Sequence, residues 1–136
     1  MMIEPNPSEL EVLKALWSSN RLSAREVHDR IGEAQGWSYS TTRTVIQRMV
    51  DKGLVTKDSV HGLAVFAAAD RKVDLISRLV RSFTKRVLEA DPSALPASAF
   101  AGSRLLDDGE RAELDALLKA GPVETSHKTS DEEAGQ

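Results

Sequence analysis

One change of period divides the first seventy residues. From Leu10 to Val50 apolar residues recur at helical spacing in three short segments, each with its own stop signal. From Leu54 to Ala67 they give way to two extended runs. Ser8 with Glu11 three residues on reads as a capping box. Leu10, Leu13, Leu16 and Trp17 follow on one helical face until Ser18-Ser19-Asn20 stops the run. Ser23 and Glu26 repeat the signature. Ala24, Val27 and Ile31 form the apolar face there, and Gly32 is the expected left-handed residue that closes the helix. After a loop from Glu33 to Trp37, a third helix is predicted from Ser40 or Thr41 to Lys52, capped by Gly53. Its wheel puts Thr42, Val45, Ile46, Met49 and Val50 on one side. Ser40, Thr44, Gln47 and Asp51 lie opposite, flanked by Arg43 and Arg48. Leu54–Lys57 and Leu63–Ala67 then predict strands joined by a loop from Asp58 to Gly62, with Arg21-Leu22 as a very short third strand.

Helix, short strand, helix, helix, strand, hairpin, strand is the order of a winged helix. Residues 1–70 are therefore read as a winged helix-turn-helix domain. A long helix is predicted next, from Arg71 to Glu89, whose Val73, Ile76, Val80, Phe83 and Val87 step by three and four, widened by Leu75 and Leu79. A short hairpin cannot cover such a stripe, so a partner is implied. Asp91-Pro92 breaks this helix, and Ala94 to Ala101 is a short Ala-rich helical candidate. Asp107 and Glu110 box the start of a last helix with Leu114, Leu117 and Leu118 as its face and Leu106 as a staple. Residues 71–120 are read as a helical dimerisation region, with Val73, Ile76, Leu79, Val80, Phe83, Val87, Leu114, Leu117 and Leu118 at the interface. Residues 121–136 hold one large aliphatic residue, Val123, and read as a disordered acidic tail. The expected fold class is mainly α with a small β-hairpin.

Composition narrows the chemistry. The chain has no cysteine, which excludes a disulfide scaffold, thiolate metal sites and cysteine nucleophiles. Its histidines, His28, His61 and His127, are too widely spaced for a metal cluster, and neither metal nor cofactor is expected. His28 reads as an exposed or half-buried helix residue, and His61 as a turn residue with a phosphate contact as the alternative. There is no Gly-rich phosphate loop, no His-x-x-x-His pair and no convergent Ser/His/Asp set, so an enzyme is not expected. Asp107, Asp108 and Glu110 are read as helix caps. No run approaches the ~18 apolar residues of a membrane span. Met1-Met2-Ile3-Glu4-Pro5 lacks the basic-then-apolar order of a signal peptide, so a cytoplasmic protein without membrane insertion is expected.

The net charge of −3 is unevenly spread. Residues 91–136 carry 4 basic and 10 acidic residues, whereas Arg21 to Lys57 holds 7 basic and 4 acidic ones. A phosphate backbone responds to the local basic face, and a distant acidic segment trims only the long-range field.

The run Trp37-Ser38-Tyr39-Ser40-Thr41-Thr42-Arg43-Thr44-Val45-Ile46-Gln47-Arg48-Met49-Val50-Asp51-Lys52-Gly53-Leu54 resembles the recognition-helix signature of the BlaI/MecI penicillinase-repressor family, whose relatives include the CopY copper repressors. Trp37, Tyr39, Thr41, Thr44, Arg48, Lys52 and Gly53 stand at its positions. Glu9 to Trp17 resembles the family's first helix, and the likeness covers about residues 7–120. The resemblance implies a homodimeric transcriptional repressor on a palindromic double-stranded DNA operator, controlling β-lactam-response or related stress genes. It also implies a dimer built from the C-terminal helices and a membrane-embedded sensor protease as partner. Three departures stand out. The wing carries Leu63 where the family usually has Arg. The cysteine motif of copper-responsive members is absent. The position of the family's Asn-Phe cleavage bond appears as Ala99-Phe100.

An α-helix fits the major groove, with its N-terminal half deepest. That selects Ser40, Thr41, Arg43, Thr44 and Gln47 as base contacts. Arg43 suits guanine O6 and N7, Gln47 suits adenine N6 and N7, and a threonine methyl suits the thymine methyl. Ser40 also stands where an N-cap belongs. Tyr39, Arg48, Lys52 and Lys57 are read as phosphate contacts, which position rather than specify. Arg48 has an internal pair with Glu26 or Asp51 as its alternative. Trp17 is read as core, and Trp37 as core or a loop lid. The competing functional reading is a winged-helix protein-interaction module without specific DNA binding.

Overall fold

Helix α1 (Pro7–Ser19) begins ahead of the expected Ser8 cap. Asn6 is the cap: its Oδ1 accepts the Glu9 N–H at 2.8 Å, and Glu9 Oε1 accepts the Asn6 N–H at 3.0 Å. Pro7 occupies the first helical position, where a missing N–H costs nothing. Glu11, the expected box partner, pairs with Lys14 instead. The computed structural model describes residues 4–120 and divides into two units, one running to Arg71 and one starting at Lys72. The tail expected to be disordered, 121–136, lies outside the described residues.

The Ser23–Glu26 box caps α2 (Ala24–Val27) as predicted, with bonds of 2.8 and 3.2 Å. Gly32 does not close the helix. Its φ is −59°, and the chain continues through a π-helical turn (His28–Gly32) into α3 (Glu33–Gln35). Gly36, at φ 74°, is the left-handed residue that ends the run. Gly32 is needed for space rather than for its backbone angle: a Cβ there would overlap the His28 imidazole. Helix α4 (Tyr39–Lys52) is capped by Ser38, whose Oγ accepts the Thr41 N–H at 3.1 Å, and not by Ser40. Gly53 closes it at φ 82°, as expected.

The hairpin is longer and tighter than predicted. β1 (Val55–Val60) pairs antiparallel with β2 (Leu63–Ala68), and Val60 faces Leu63 across a two-residue turn. His61 and Gly62 both have positive φ, 52° and 81°, the requirement of a turn whose twist matches the strands. Asp58 and Ser59, expected in a loop, are ladder residues because backbone pairing does not need apolar side chains. Leu22 bridges Phe66 through two backbone bonds of 3.0 and 2.8 Å, so the expected short third strand is reduced to a single bridging residue beside a two-stranded sheet.

The first unit's core gathers Val12, Leu13, Leu16, Leu22, Val27, Ile46, Met49, Leu54, Val55, Val65 and Phe66. Burying each of the larger side chains contributes roughly 1.5–3 kcal/mol. Trp17 is half-buried rather than core, and its indole N–H donates to the Asp70 carbonyl at 3.1 Å. Glu9 is buried, and its second carboxylate oxygen accepts Lys52 Nζ at 2.6 Å, which ties the start of α1 to the end of α4.

The second unit is α5 (Lys72–Arg86), two 3-10 turns (Pro92–Ala94 and Ala97–Phe100) and α6 (Asp108–Ala120). The expected helix over 94–101 is replaced by these turns, since Pro96 separates them. Asp91 caps the first, and the Ser93 N–H and hydroxyl hold its carboxyl below the usual carboxylate range. Asp107 and Glu110 form the predicted box at α6. Leu106 joins Val73, Leu114 and Leu118 in a buried cluster against which Ile76, Val80, Leu95, Phe100 and Leu117 pack. No described helix is long and apolar enough to cross a membrane.

The contact between Gly32 and His28 makes the effect of a methyl group depend on its neighbour. Gly32→Ala is expected to destabilise the protein by about 1–2 kcal/mol, because the imidazole must leave its hydrogen bond. In a His28→Ala background the same change should stabilise by roughly 0.5–1 kcal/mol, the helix propensity gain of Ala over Gly. Urea unfolding of the four proteins checks this; equal effects in both backgrounds would refute the packing role of Gly32.

Candidate nucleic-acid interface

The outward face of α4 is set by its inward one. Thr42, Ile46 and Met49 are buried, which turns Ser40, Arg43, Thr44 and Gln47 outward. Thr42 Oγ1 donates to the Ser38 carbonyl at 3.3 Å and lies 2.7 Å from His28 Nδ1. With the hydroxyl proton directed at Ser38, the imidazole is the donor in the second bond. The Ser38 bond orients the hydroxyl within α4, and the His28 bond, which joins α4 to the preceding helical run, is more directional than an apolar contact of the same size would be.

Between α2, α4 and the hairpin lies an open cleft of about 510 Å³. Ser40, Arg43, Thr44 and Gln47 line it from α4, Ser23 and Arg25 from the second helical run, and Lys57, Leu63 and Ala64 from the hairpin. Tyr39 stands at its edge with two guanidinium groups near its ring, Arg25 at 4.0 Å and Arg43 at 5.9 Å from the centroid. No carboxylate lines the cleft.

Four of the five expected base-contact residues thus share one cleft. Thr41 does not line it; its N–H and hydroxyl meet the Ser38 cap. Thr44 donates its hydroxyl to the Ser40 carbonyl at 3.1 Å, which leaves its methyl and lone pairs outward. Gln47 Nε2 donates to Asp51 Oδ1 at 3.2 Å, so Asp51 already orients the amide. Of the expected phosphate contacts, Tyr39 and Lys57 reach the cleft, and Arg48 is exposed on α4 outside it, paired with neither Glu26 nor Asp51. Lys52 spends its ammonium on Glu9. Trp37 is half-buried and lies outside the cleft lining.

Arg25 and Leu63 were not among the expected contacts. Arg25 sits in the first turn of α2, and nothing in its sequence spacing distinguishes it from a solvated helix residue. Leu63 is 58% exposed at the start of β2, where an apolar residue reads as strand.

The residues expected at a dimer interface divide in two. Val73, Leu114 and Leu118 are buried in the second unit's own core, and Ile76, Val80 and Leu117 pack against it. The stripe on α5 is therefore covered by α6 over its first half. Phe83 and Val87 are 53% and 61% exposed, and Leu88 beside them 53%. Phe83, Leu79, Val80 and Leu88 form, with Leu95, Ala99 and Phe100, an almost wholly apolar groove of about 340 Å³.

Comparison with known proteins adds an independent finding. A family model described as the penicillinase repressor matches residues 6–120. The chain is 27% identical over 79 residues to the penicillinase repressor of Bacillus licheniformis, covering 58% of this chain and 62% of that protein. It is 24% identical over 92 residues to the methicillin resistance regulatory protein MecI of Staphylococcus aureus strain N315, covering 68% and 75%. It is also 35% identical over 52 residues to an uncharacterized 16.5 kDa protein of Latilactobacillus sakei, covering 38% and 36%. Two of these three relatives are thus spanned over less than two thirds of their length. The family match itself runs from the cap of α1 to the last residue of α6, and the chain belongs to the penicillinase repressor family.

Proposed function

We propose that this chain is a transcriptional repressor that binds a palindromic DNA operator as a homodimer and reads bases through the exposed face of α4. The observation that carries the reading is the cleft beside α4, lined by Arg25, Arg43 and Lys57 and by no carboxylate. Among the described residues these three cations make no ion pair, so their charge is available to a polyanion. Ser40, Arg43, Thr44 and Gln47 are the residues proposed to meet base edges, with Thr41 at the rim. Gln47 would exchange Asp51 for adenine N6 and N7, a bidentate match. Tyr39, Lys57 and Arg48 are proposed to meet phosphates. Lys52 contributes mainly by anchoring α4 to Glu9.

The homodimer is proposed to form on the α5 groove, where Phe83, Val87 and Leu88 expose apolar surface. Two recognition helices separated by one duplex turn, ~34 Å, would then read an inverted repeat. The names of the relatives, penicillinase repressor and methicillin resistance regulatory protein, support β-lactam-response genes as targets. A membrane sensor protease as upstream partner is proposed from the family resemblance alone. The bond between Ala99 and Phe100 is the proposed cleavage point. It lies in a 3-10 turn with Phe100 packed on the buried cluster, so cleavage would first require that turn to open.

Selection of binding sites from random duplex DNA tests the reading. The unmodified protein should recover an inverted repeat, and the Arg43→Ala, Gln47→Ala double variant should bind that repeat at least tenfold more weakly with relaxed preference. Failure to enrich any sequence, with weak and salt-insensitive binding, would favour a protein-interaction module instead.

Phe83→Asp should turn the protein monomeric in sedimentation at micromolar concentration. It should also weaken binding to the selected repeat at least tenfold, while thermal unfolding of the first unit is unchanged. A monomeric variant with undiminished affinity would refute the coupling of dimerisation to DNA binding.

A further inference from the structure

Arg25 is held in a way that an idle surface arginine is not. Its guanidinium lies 4.0 Å from the Tyr39 ring centroid, closer than Arg43 at 5.9 Å. The ring is in turn braced edge-on by His28, with centroids 5.6 Å apart and planes at 69°. His28 is fixed by its bond to the buried Thr42 and rests against Gly32, where a Cβ would displace it. A chain of three contacts, Thr42 to His28 to Tyr39 to Arg25, therefore leads from the core of the first unit to one cation at the cleft. Stacking occupies the face of a guanidinium and consumes none of its N–H donors, which lie in its plane. Among the described residues Arg25 has no carboxylate partner, and its donors are open to an acceptor in the cleft.

We propose that Arg25, stacked on Tyr39, is a clamp for a phosphodiester of the DNA backbone beside the groove that α4 enters. This rests on the DNA-binding reading and adds to it an anchor outside the recognition helix. A phosphate is favoured over a base edge because the helix that precedes a recognition helix crosses the backbone rather than entering the groove. Arg43 and Lys57 line the same cleft without a carboxylate among them, so the local field suits an anion. A planar fork of N–H donors matches the paired oxygens of a phosphodiester. Because the guanidinium is already ordered on Tyr39, binding loses less side-chain freedom than it would for a free arginine.

The test measures affinity against salt for unmodified protein, Arg25→Ala and Arg25→Lys, on fluorescent duplexes carrying the selected repeat or random sequence. Arg25→Ala should weaken both duplexes by a similar factor, about five- to tenfold. It should lower the slope of log K against log salt by about 0.9 per protomer and leave the selected sequence unchanged. Arg25→Lys should keep the slope, since it keeps the charge, yet lose several-fold in affinity because an ammonium lacks the planar fork. Both variants should retain the unmodified protein's circular dichroism, as Arg25 is exposed. Unchanged slope and affinity in Arg25→Ala would overturn the clamp. So would a shifted sequence preference, which would make Arg25 a base reader. If the unmodified protein shows no salt-dependent DNA binding, the DNA-binding reading itself fails, an outcome distinct from either.

Discussion

The hydroxyl of Thr42 decides what the first unit presents. It is fully buried; its bond to Ser38 lies within the first turn of α4, and its bond to His28 crosses to the preceding helical run, so α4 cannot roll without breaking the His28 contact in a place water does not reach. A roll of one residue, about 100°, would carry Arg43 and Gln47 away from the cleft and bring Val45 toward it. At the far end of the helix the Lys52–Glu9 pair resists the same motion. The apolar contacts of Ile46 and Met49 supply most of the binding of α4 to the core, but they are less directional. Specific orientation comes from the polar minority.

Much of this was legible in the chain. The Ser23–Glu26 and Asp107–Glu110 boxes, the cap at Gly53 and the inward stripe of α4 follow from spacing rules that depend on local geometry alone. The errors have local causes too. Asn6 and Ser8, like Ser38 and Ser40, are two competent caps two residues apart, and only the path of the incoming chain chooses between them. Gly32 departs from the rule that a glycine near a helix end takes a left-handed turn, because its lack of a side chain makes room for His28 four residues earlier. The extent of β1 was hidden because its residues beyond Val55 are exposed and show no apolar alternation. For the cleft, α4 could be read from its own wheel. Arg25 could not, because its importance lies in a ring fourteen residues away that only tertiary structure brings above it.

The second unit shows a different limit of pattern reading. A stripe stepping by three and four announces that something covers it, without saying what. The answer for Val73, Ile76 and Val80 is α6 of the same chain, stapled by the Arg81 bond to the Leu117 carbonyl at 2.9 Å. The Lys72–Glu110 pair at 3.0 Å ties the other ends of the two helices. Beyond Val80 the stripe outruns its cover, and three large side chains are left more than half exposed within six residues. Full burial of such a group contributes roughly 1.5–3 kcal/mol, so this end of the helix is where association has most to gain.

The charge distribution explains how an acidic protein can present a cationic face. In the first unit Lys14, Arg21 and Lys52 are matched by Glu11, Asp58 and Glu9, and Arg30 bonds to serines on α1. Arg25, Arg43, Arg48 and Lys57 have no such partner among the described residues. A polyanion responds to charge that is both near and unpaired, because charges more than a screening length of ~8 Å away are largely masked at physiological salt. The acidic excess of residues 91–136 sets the net value of −3, while no carboxylate is among the residues that line the cleft. Net charge is therefore a poor guide here, and the pairing of individual side chains a good one. The same logic separates Lys52 from Lys57: identical in sequence terms, one is bound to the framework and the other lines the cleft with no ion pair among the described residues.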